Sequence, residues 1–336
     1  MAIVKTSKSN RIERTFSKEL LHALEKGKNV LIFTHVSPDG DTIGSAIGLQ
    51  LALESLGKKV VVTCSDPIPQ VLFYMEKAKE ILPPEEIRPE DFDLAVAVDV
   101  SDELRLGRGE KLFFQIAQTV QIDHHGTNPG YAKWNYIDES ASATAILMVD
   151  IIQKLHVPLN HEMATALYSG LVIDTGNFSF DNTTAEALEV GSLLVAQKVQ
   201  VDHINRVLFR EKTPEQILLL AKALGHITFL EKGKIAGLCL AKEEIEEIST
   251  KPEYTEGIVN YAIDVTGVKM CFFGKELDEG VKFSLRAIPP YDVSTIATKF
   301  GGGGHPLAAG CTIVAPLADA VGQMASAMVD EIQREQ

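Results

Sequence analysis

The sequence predicts an α/β protein in two parts: a parallel sheet with helices on both faces, followed by a smaller α+β domain. Three observations carry this. At 336 residues the chain exceeds what one hydrophobic core commonly organises. Through the first half, short apolar runs alternate with helical patterns, which implies parallel strands joined by right-handed crossovers. Beyond Thr213-Pro214 the order changes to strands with helices between them, the pattern of a separate domain.

Taken in order, residues 29–35 read as a buried strand, 42–56 as a helix stopped by Gly57, and 58–65 as a second strand. Two more strands, 93–100 and 119–125, each end in Asp or His. Residues 142–155 and 161–173 have helical spacing, and the second runs into the turn Asp174-Thr175-Gly176-Asn177-Phe178. A further helix covers 183–199, and strands follow at 235–241, 269–274 and 281–288. The predicted division is a first domain over 1–190, a linker over 191–215 and a second domain over 216–336. There is no internal repeat, and the one low-complexity tract is Gly301-Gly302-Gly303-Gly304.

A composition of 45% apolar and 23% charged residues is that of an ordinary globular protein. No apolar run is longer than residues 94–98, which is too short to cross a bilayer, and residues 1–10 are polar with no hydrophobic segment behind them. A cytoplasmic location without membrane association is expected. Cys64, Cys239, Cys271 and Cys311 are scattered among apolar residues and read as reduced core thiols. The net charge of −14 opposes capture of long nucleic acid through many phosphate contacts. A polyanionic substrate must then be small or be neutralised locally.

Open parallel sheets bind ligands just beyond the carboxyl ends of their strands. Three such ends here carry ligand-type side chains: His35-Val36-Ser37-Pro38-Asp39-Gly40-Asp41, Asp99-Val100-Ser101-Asp102 and Asp123-His124-His125. A fourth acid, Asp174, lies in the turn after a helix, where Gly176 permits close backbone approach. Imidazole with carboxylate suits Mn²⁺ or Zn²⁺, and the lack of thiolate argues against a structural zinc site. Carboxylates converging without Lys or Arg would repel one another, a conflict that a metal pair removes. Each segment alone has another reading. Asp41 before Thr42 can cap the following helix, and a single His35 or His124 can be a hydrogen-bonded core residue. Adjacent Asp123-His124-His125 at a buried strand end needs partners, and the four segments together point to a metal site. His22, His156, His161, His203 and His226 lack companion acids in sequence and read as structural.

In this order, the four segments resemble the signature motifs of the DHH phosphoesterase superfamily. The C-terminal stretch, with Phe283-Ser284-Leu285-Arg286 and the glycine tract before His305, resembles the DHH-associated domain. Length and this pairing are most similar to the nanoRNase branch, whose members are oligoribonucleases and pAp phosphatases. The resemblance implies two divalent ions, Mn²⁺ first with Mg²⁺ or Co²⁺ as alternatives, and an active site in the cleft between two domains. It assigns His35, Asp39 and Asp99 to one ion, and Asp41, Asp99, His124 and Asp174 to the other, so that Asp99 bridges. Asp123 would orient an imidazole and His125 would face the scissile phosphate.

Four glycines in a row can present backbone N–H groups to an anion or form a flexible linker. The resemblance assigns Arg286, Gly302, Gly303, Gly304 and His305 to the substrate's far phosphate or nucleotide. Ala287 and Pro306 depart from the small hydroxyl and polar residues expected after Arg286 and His305. Arg105 and Arg108 either reach substrate or belong to a solvated surface loop. The implied activity is hydrolysis of short RNA to mononucleotides, together with removal of the 3′-phosphate of adenosine 3′,5′-bisphosphate. Alternatives are a cyclic or linear dinucleotide phosphodiesterase, an inorganic pyrophosphatase and a non-catalytic nucleotide sensor. Implied partners are short single-stranded RNA or nucleotides, with no long nucleic acid and no membrane; a homodimer is compatible.

Overall fold

Apolar strands separated in sequence lie side by side in the computed structural model, which describes residues 9–334. These residues divide into two compact units, the first ending at Glu211 and the second beginning at Lys212. The expectation for residues 1–10 falls, as far as residue 8, outside the described residues.

The first unit runs α1 (Lys18–Lys26), β1 (Asn29–Phe33), α2 (Gly40–Ser55), β2 (Lys59–Thr63), β3 (Leu94–Val98), α3 (Glu110–Gln115), β4 (Thr119–Asp123), β5 (Trp134–Ile137), α4 (Thr144–Lys154), α5 (His161–Asp174), α6 (Ala185–Val195) and α7 (Val201–Asn205). Its five strands are all parallel, in the order β2-β1-β3-β4-β5. Successive residues of β1 enter opposite cores. Val30 and Ile32 pack with α2, α4 and α5, whereas Leu31 and Phe33 pack with Leu112 and Phe113 of α3. β3 divides in the same way, Val96 and Val98 to one side and Ala95 and Ala97 to the other. Burial on both faces demands continuous apolar strands, which is why these runs are legible in the sequence.

The chain leaves β1 for β2 on one side and returns as β3 on the other. The carboxyl ends of β1 and β3 therefore border a topological switch point, the place where such sheets bind ligands. Over this point α2 and α5 touch through their backbones. A Cβ on Gly44 would run into the Ala166 carbonyl, and one on Gly170 into the Asp41 carboxylate. Only glycine permits that approach.

The second unit runs α8 (Pro214–Gly225), β6 (Thr228–Leu230), β7 (Ile235–Leu240), α9 (Lys242–Glu246), α10 (Ile258–Ile263), β8 (Met270–Leu277), β9 (Gly280–Ala287), α11 (Val293–Lys299), β10 (Gly303–His305), β11 (Ala308–Ile313) and α12 (Leu317–Arg334). Its sheet has the order β10-β11-β9-β8-β7-β6, antiparallel except for β7 beside β8. α11 and α12 cover one face, over Phe272, Phe283 and Leu285, while α8 and α10 cover the other, over Leu238, Cys271 and Phe273.

Several boundaries differ from the sequence reading. α4 begins at Thr144 rather than at residue 142, because Ser142 turns its hydroxyl to the Asn182 carbonyl. Asp174 closes α5 instead of following it. Residues 191–215, read as a linker, hold the end of α6, all of α7 and the first residues of α8. Thr213 caps α8 by accepting from the Gln216 N–H, with Pro214 at the first helical position, so that pair starts a helix. β5 is an edge strand of half-buried residues, without the apolar run that marks its neighbours. All four cysteines are free and three are buried. Among the described residues no helix is long and apolar enough to cross a membrane.

Candidate active site

His35 stands two residues beyond β1 and is buried. Its Nδ1–H donates to the Val36 carbonyl at 2.8 Å, which turns Nε2 toward Asp39 Oδ2 at 3.7 Å and Asp99 Oδ2 at 3.6 Å. A backbone tie on one ring nitrogen with the other aimed inward is the usual posture of a ligating imidazole. Asp39 is the N-cap of α2, its Oδ1 accepting from the Asp41 and Thr42 N–H groups at 2.9 and 3.1 Å. Its other oxygen stays free to face His35.

The helix-cap reading of Asp41 is half right, but the helix is a different one. Asp41 lies in the first turn of α2, and its carboxylate accepts from the Thr144 and Ala145 N–H groups at 2.6 and 3.0 Å. Ala143, at the N-cap position of α4, makes no side-chain cap bond, so a carboxylate from α2 satisfies those donors. Ser45 Oγ adds a third hydrogen bond at 3.0 Å. The N-terminal end of α4 thereby offsets part of the charge of a fully buried acid.

Asp99 follows β3 with a left-handed backbone, φ 61°, and is buried. Its two oxygens face different imidazoles: Oδ2 toward His35 and Oδ1 toward His124 Nε2, each at 3.6 Å. Beyond β4, His124 ties its Nδ1 to the Ala141 carbonyl at 3.1 Å and presents Nε2 to Asp174 Oδ2 at 3.1 Å. Asp123, the last residue of β4, accepts from the His124 N–H at 2.9 Å and from His125 Nδ1 at 2.8 Å. His125 is the exposed imidazole of the set, its side chain 42% accessible. After Asp174, Gly176, Asn177 and Phe178 are all left-handed, at φ 54°, 56° and 61°.

Ligand atoms of His35, Asp39 and Asp99 lie within 4.8 Å of one another, as do those of Asp41, His124 and Asp174 and those of Asp99, His124 and His125. Each group could hold a metal ion. The electrostatics of the cluster suit a cation. Burial works to lower the pKa of His35 and of His124, but the surrounding carboxylates outweigh it and push both up to about 10. Burial, with the neighbouring carboxylates, raises Asp41, Asp99 and Asp174 above the ordinary range. Without metal, then, the site holds protons.

A pH test follows. The raised histidines stabilise the metal-free fold fully below their unfolded pKa of about 6.5, and that contribution is lost as pH rises toward 10. The raised acids change stability in the same direction. Melting of the metal-free protein should fall between pH 6 and 9, and the upward shift given by saturating Mn²⁺ should grow over that window, because the ion displaces protons. Scanning fluorimetry with chelator and with Mn²⁺ measures both curves. A shift that is constant or shrinks with pH rejects the assignment.

Some supporting residues carry no sequence signal. Thr144 Oγ1 donates to Asp99 Oδ1 at 2.8 Å, and Asn128 Nδ2 donates to Asp123 Oδ2. Arg105, left open between substrate and solvent, lies against the back of His35, with Nη2 2.9 Å from Nδ1 and 3.4 Å from the Val36 oxygen. Arg108 binds Glu85 at 2.6 Å and the Ser65 carbonyl. His226, read as lacking an acid, stands 3.4 Å from Glu244.

In the second unit, Arg286 of β9 and His305 of β10 both pair with Ala308 of β11, from opposite sides. Directly opposed residues share a face, so these two side chains rise from one face roughly 10 Å apart, two strand spacings, over a small residue. The glycine tract is only in part a loop, since Gly303 and Gly304 belong to edge strand β10. Gly301 and Gly304 take φ 72° and 143°, and a Cβ on Gly302 would meet the Gly310 carbonyl. Gly303 meets no such limit.

The first unit is thus an α/β sheet with an imidazole–carboxylate basin at its switch point, of the class that works with divalent cations at strand ends. Residues 29–171 match the DHH family, N-terminal domain, and residues 236–334 match the DHHA1 domain. The chain is 35% identical over 298 residues to the bifunctional oligoribonuclease and PAP phosphatase NrnA of Thermus thermophilus, covering 88% of this chain and 86% of that protein. It is 25% identical over 301 residues to NrnA of Bacillus subtilis, covering 88% and 92%. A crystal structure of an exopolyphosphatase-related protein from Bacteroides fragilis has the same fold, with a TM-score of 0.87 at 24% identity over 95% of this chain and 98% of that one. The chain belongs to the DHH family.

Proposed function

We propose that this chain is a two-metal phosphoesterase that hydrolyses short oligoribonucleotides to nucleoside monophosphates and dephosphorylates adenosine 3′,5′-bisphosphate. The observation that carries the metal chemistry is Asp99, one carboxylate whose two oxygens face two separate imidazole–carboxylate groups. The substrate class is supported by the NrnA relatives, both named for these two activities. His35, Asp39 and Asp99 hold one ion; Asp41, Asp99, His124 and Asp174 hold the other. Mixed imidazole and carboxylate donors suit Mn²⁺, with Mg²⁺ and Co²⁺ as weaker alternatives. Such a pair supplies Lewis-acid polarisation of the phosphate and a water of lowered pKa.

The chain's own groups complete the site. Asp123 holds His125 through Nδ1, leaving the exposed ring to present Nε2. That hydrogen bond outweighs burial and raises the His125 pKa, favouring an imidazolium that donates to a phosphate oxygen or to the leaving alkoxide. Arg286 and His305, on one sheet face, hold the distal phosphate or nucleotide. Free cysteines fit a reducing cytoplasm.

A substrate panel with Mn²⁺ tests the reading: dinucleotide, adenosine 3′,5′-bisphosphate, cyclic dinucleotide and pyrophosphate side by side. Mononucleotide release from the first and phosphate from the second are expected. Tight binding of dinucleotide with no product would instead favour a sensor. In the same assay Arg286→Ala should raise KM about 10- to 100-fold with kcat nearly unchanged, as for loss of a charge-assisted hydrogen bond in substrate binding. An unchanged KM removes Arg286 from the site.

A further inference from the structure

Asp99 can serve two ions only if the plane of its carboxylate is fixed, since a rotation about the last side-chain torsion would aim both oxygens away from the imidazoles. Among the described residues, the hydroxyl that donates to this carboxylate comes from α4. Thr144 is fully buried at the first position of that helix, and its Oγ1 donates to Asp99 Oδ1 at 2.8 Å. Its backbone N–H donates to Asp41 Oδ2 at 2.6 Å. One residue thus holds a carboxylate from each of the two groups, Asp99 by its side chain and Asp41 by its main chain.

The hydroxyl's direction is not explained by helix capping. Capping of the exposed N–H groups of a first turn falls to the N-cap residue, which is Ala143 and not Thr144. Here those groups are already taken by Asp41, and the hydroxyl points into the cluster instead. Buried with no route to solvent, the hydroxyl needs an acceptor, and Asp99 Oδ1 is the oxygen it reaches.

We propose that Thr144 is a positioning residue for the metal pair, setting the Asp99 carboxylate so that each oxygen faces one ion. This rests on the two-metal reading above. Removing the hydroxyl frees the torsion while leaving the backbone donors to Asp41 in place. Groups that orient a metal ligand in this way are worth about 10- to 100-fold in metal affinity.

The test compares Mn²⁺ binding by the wild type with Thr144→Val, Thr144→Ala and Thr144→Ser, by calorimetric titration and by electron paramagnetic resonance of the coupled ion pair. Melting of each metal-free protein is measured alongside. The Val and Ala variants should bind Mn²⁺ about 10- to 100-fold more weakly and lose the coupled-pair spectrum. Thr144→Ser should restore both, because it returns the hydroxyl. Wild-type affinity and spectrum in the Val and Ala variants overturn the proposal, as does a Ser variant no better than Ala. A wild type that binds a single ion defeats the two-metal reading itself, an outcome distinct from either.

Discussion

Asp99→Ala should lower kcat/KM by more than about a thousandfold, with the metal-free fold retained. Losing one group that stabilises developing charge already costs about 10²–10³ in rate. Asp99 is the one carboxylate placed between His35 and His124, so its removal takes a ligand from both ions at once. The side chain is buried and raised in pKa by burial and by Asp41, so its loss also relieves repulsion within the cluster. Melting of the metal-free variant should therefore match or exceed that of the wild type, while stabilisation by Mn²⁺ is largely lost. Steady-state kinetics on a dinucleotide decide the matter: a rate near that of the wild type rejects the bridging role.

The largest expected loss of stability lies away from the site. Arg14, its side chain 1% accessible, donates to Asp138 at 2.7 Å, to Asp150 at 2.9 Å and to both oxygens of Glu186 at 2.7 and 2.9 Å. It ties the segment before α1 to the loop after β5, to α4 and to α6. Arg14→Ala takes the buried cation from Asp138, Asp150 and Glu186, with Arg11 still beside the last two, and should cost about 3–5 kcal/mol, read as a lower urea midpoint. Replacing Arg11, Arg14, Asp138, Asp150 and Glu186 together with uncharged residues of similar volume should cost much less, because no charge of the cluster is then left unpaired. Equal losses in the two variants would show that packing, not charge pairing, accounts for Arg14.

Nothing in the sequence near Arg14 announces this network, whose acids lie 124 to 172 positions away. The legible features are those with local causes. β1 and β3 are readable because burial on both faces requires unbroken apolar runs, and His35 and Asp99 are readable because they follow those runs. β5, Trp134-Asn135-Tyr136-Ile137, carries no apolar run and has only half-buried or exposed residues, so it has no comparable signal. The true start of α4 was hidden because its cap is borrowed from α2, so Ser142 looked like the natural beginning. Thr213-Pro214 has the chemistry of a helix start as well as that of a break, and only the Gln216 partner separates the two. Thr144, Asn128 and Arg105 act through neighbours that the fold supplies, and composition carries no trace of that.

The backbone contact between α2 and α5 has its own consequence. Asp41 rides on one of these helices and Asp174 ends the other, so their separation is fixed by main chain meeting main chain at Gly44, which lies against the Ala166 carbonyl and the Gly170 nitrogen. Such a joint has no give. A single methyl group there would wedge the helices apart and carry one acid away from its companion, disabling the enzyme from a position that touches neither ion nor substrate.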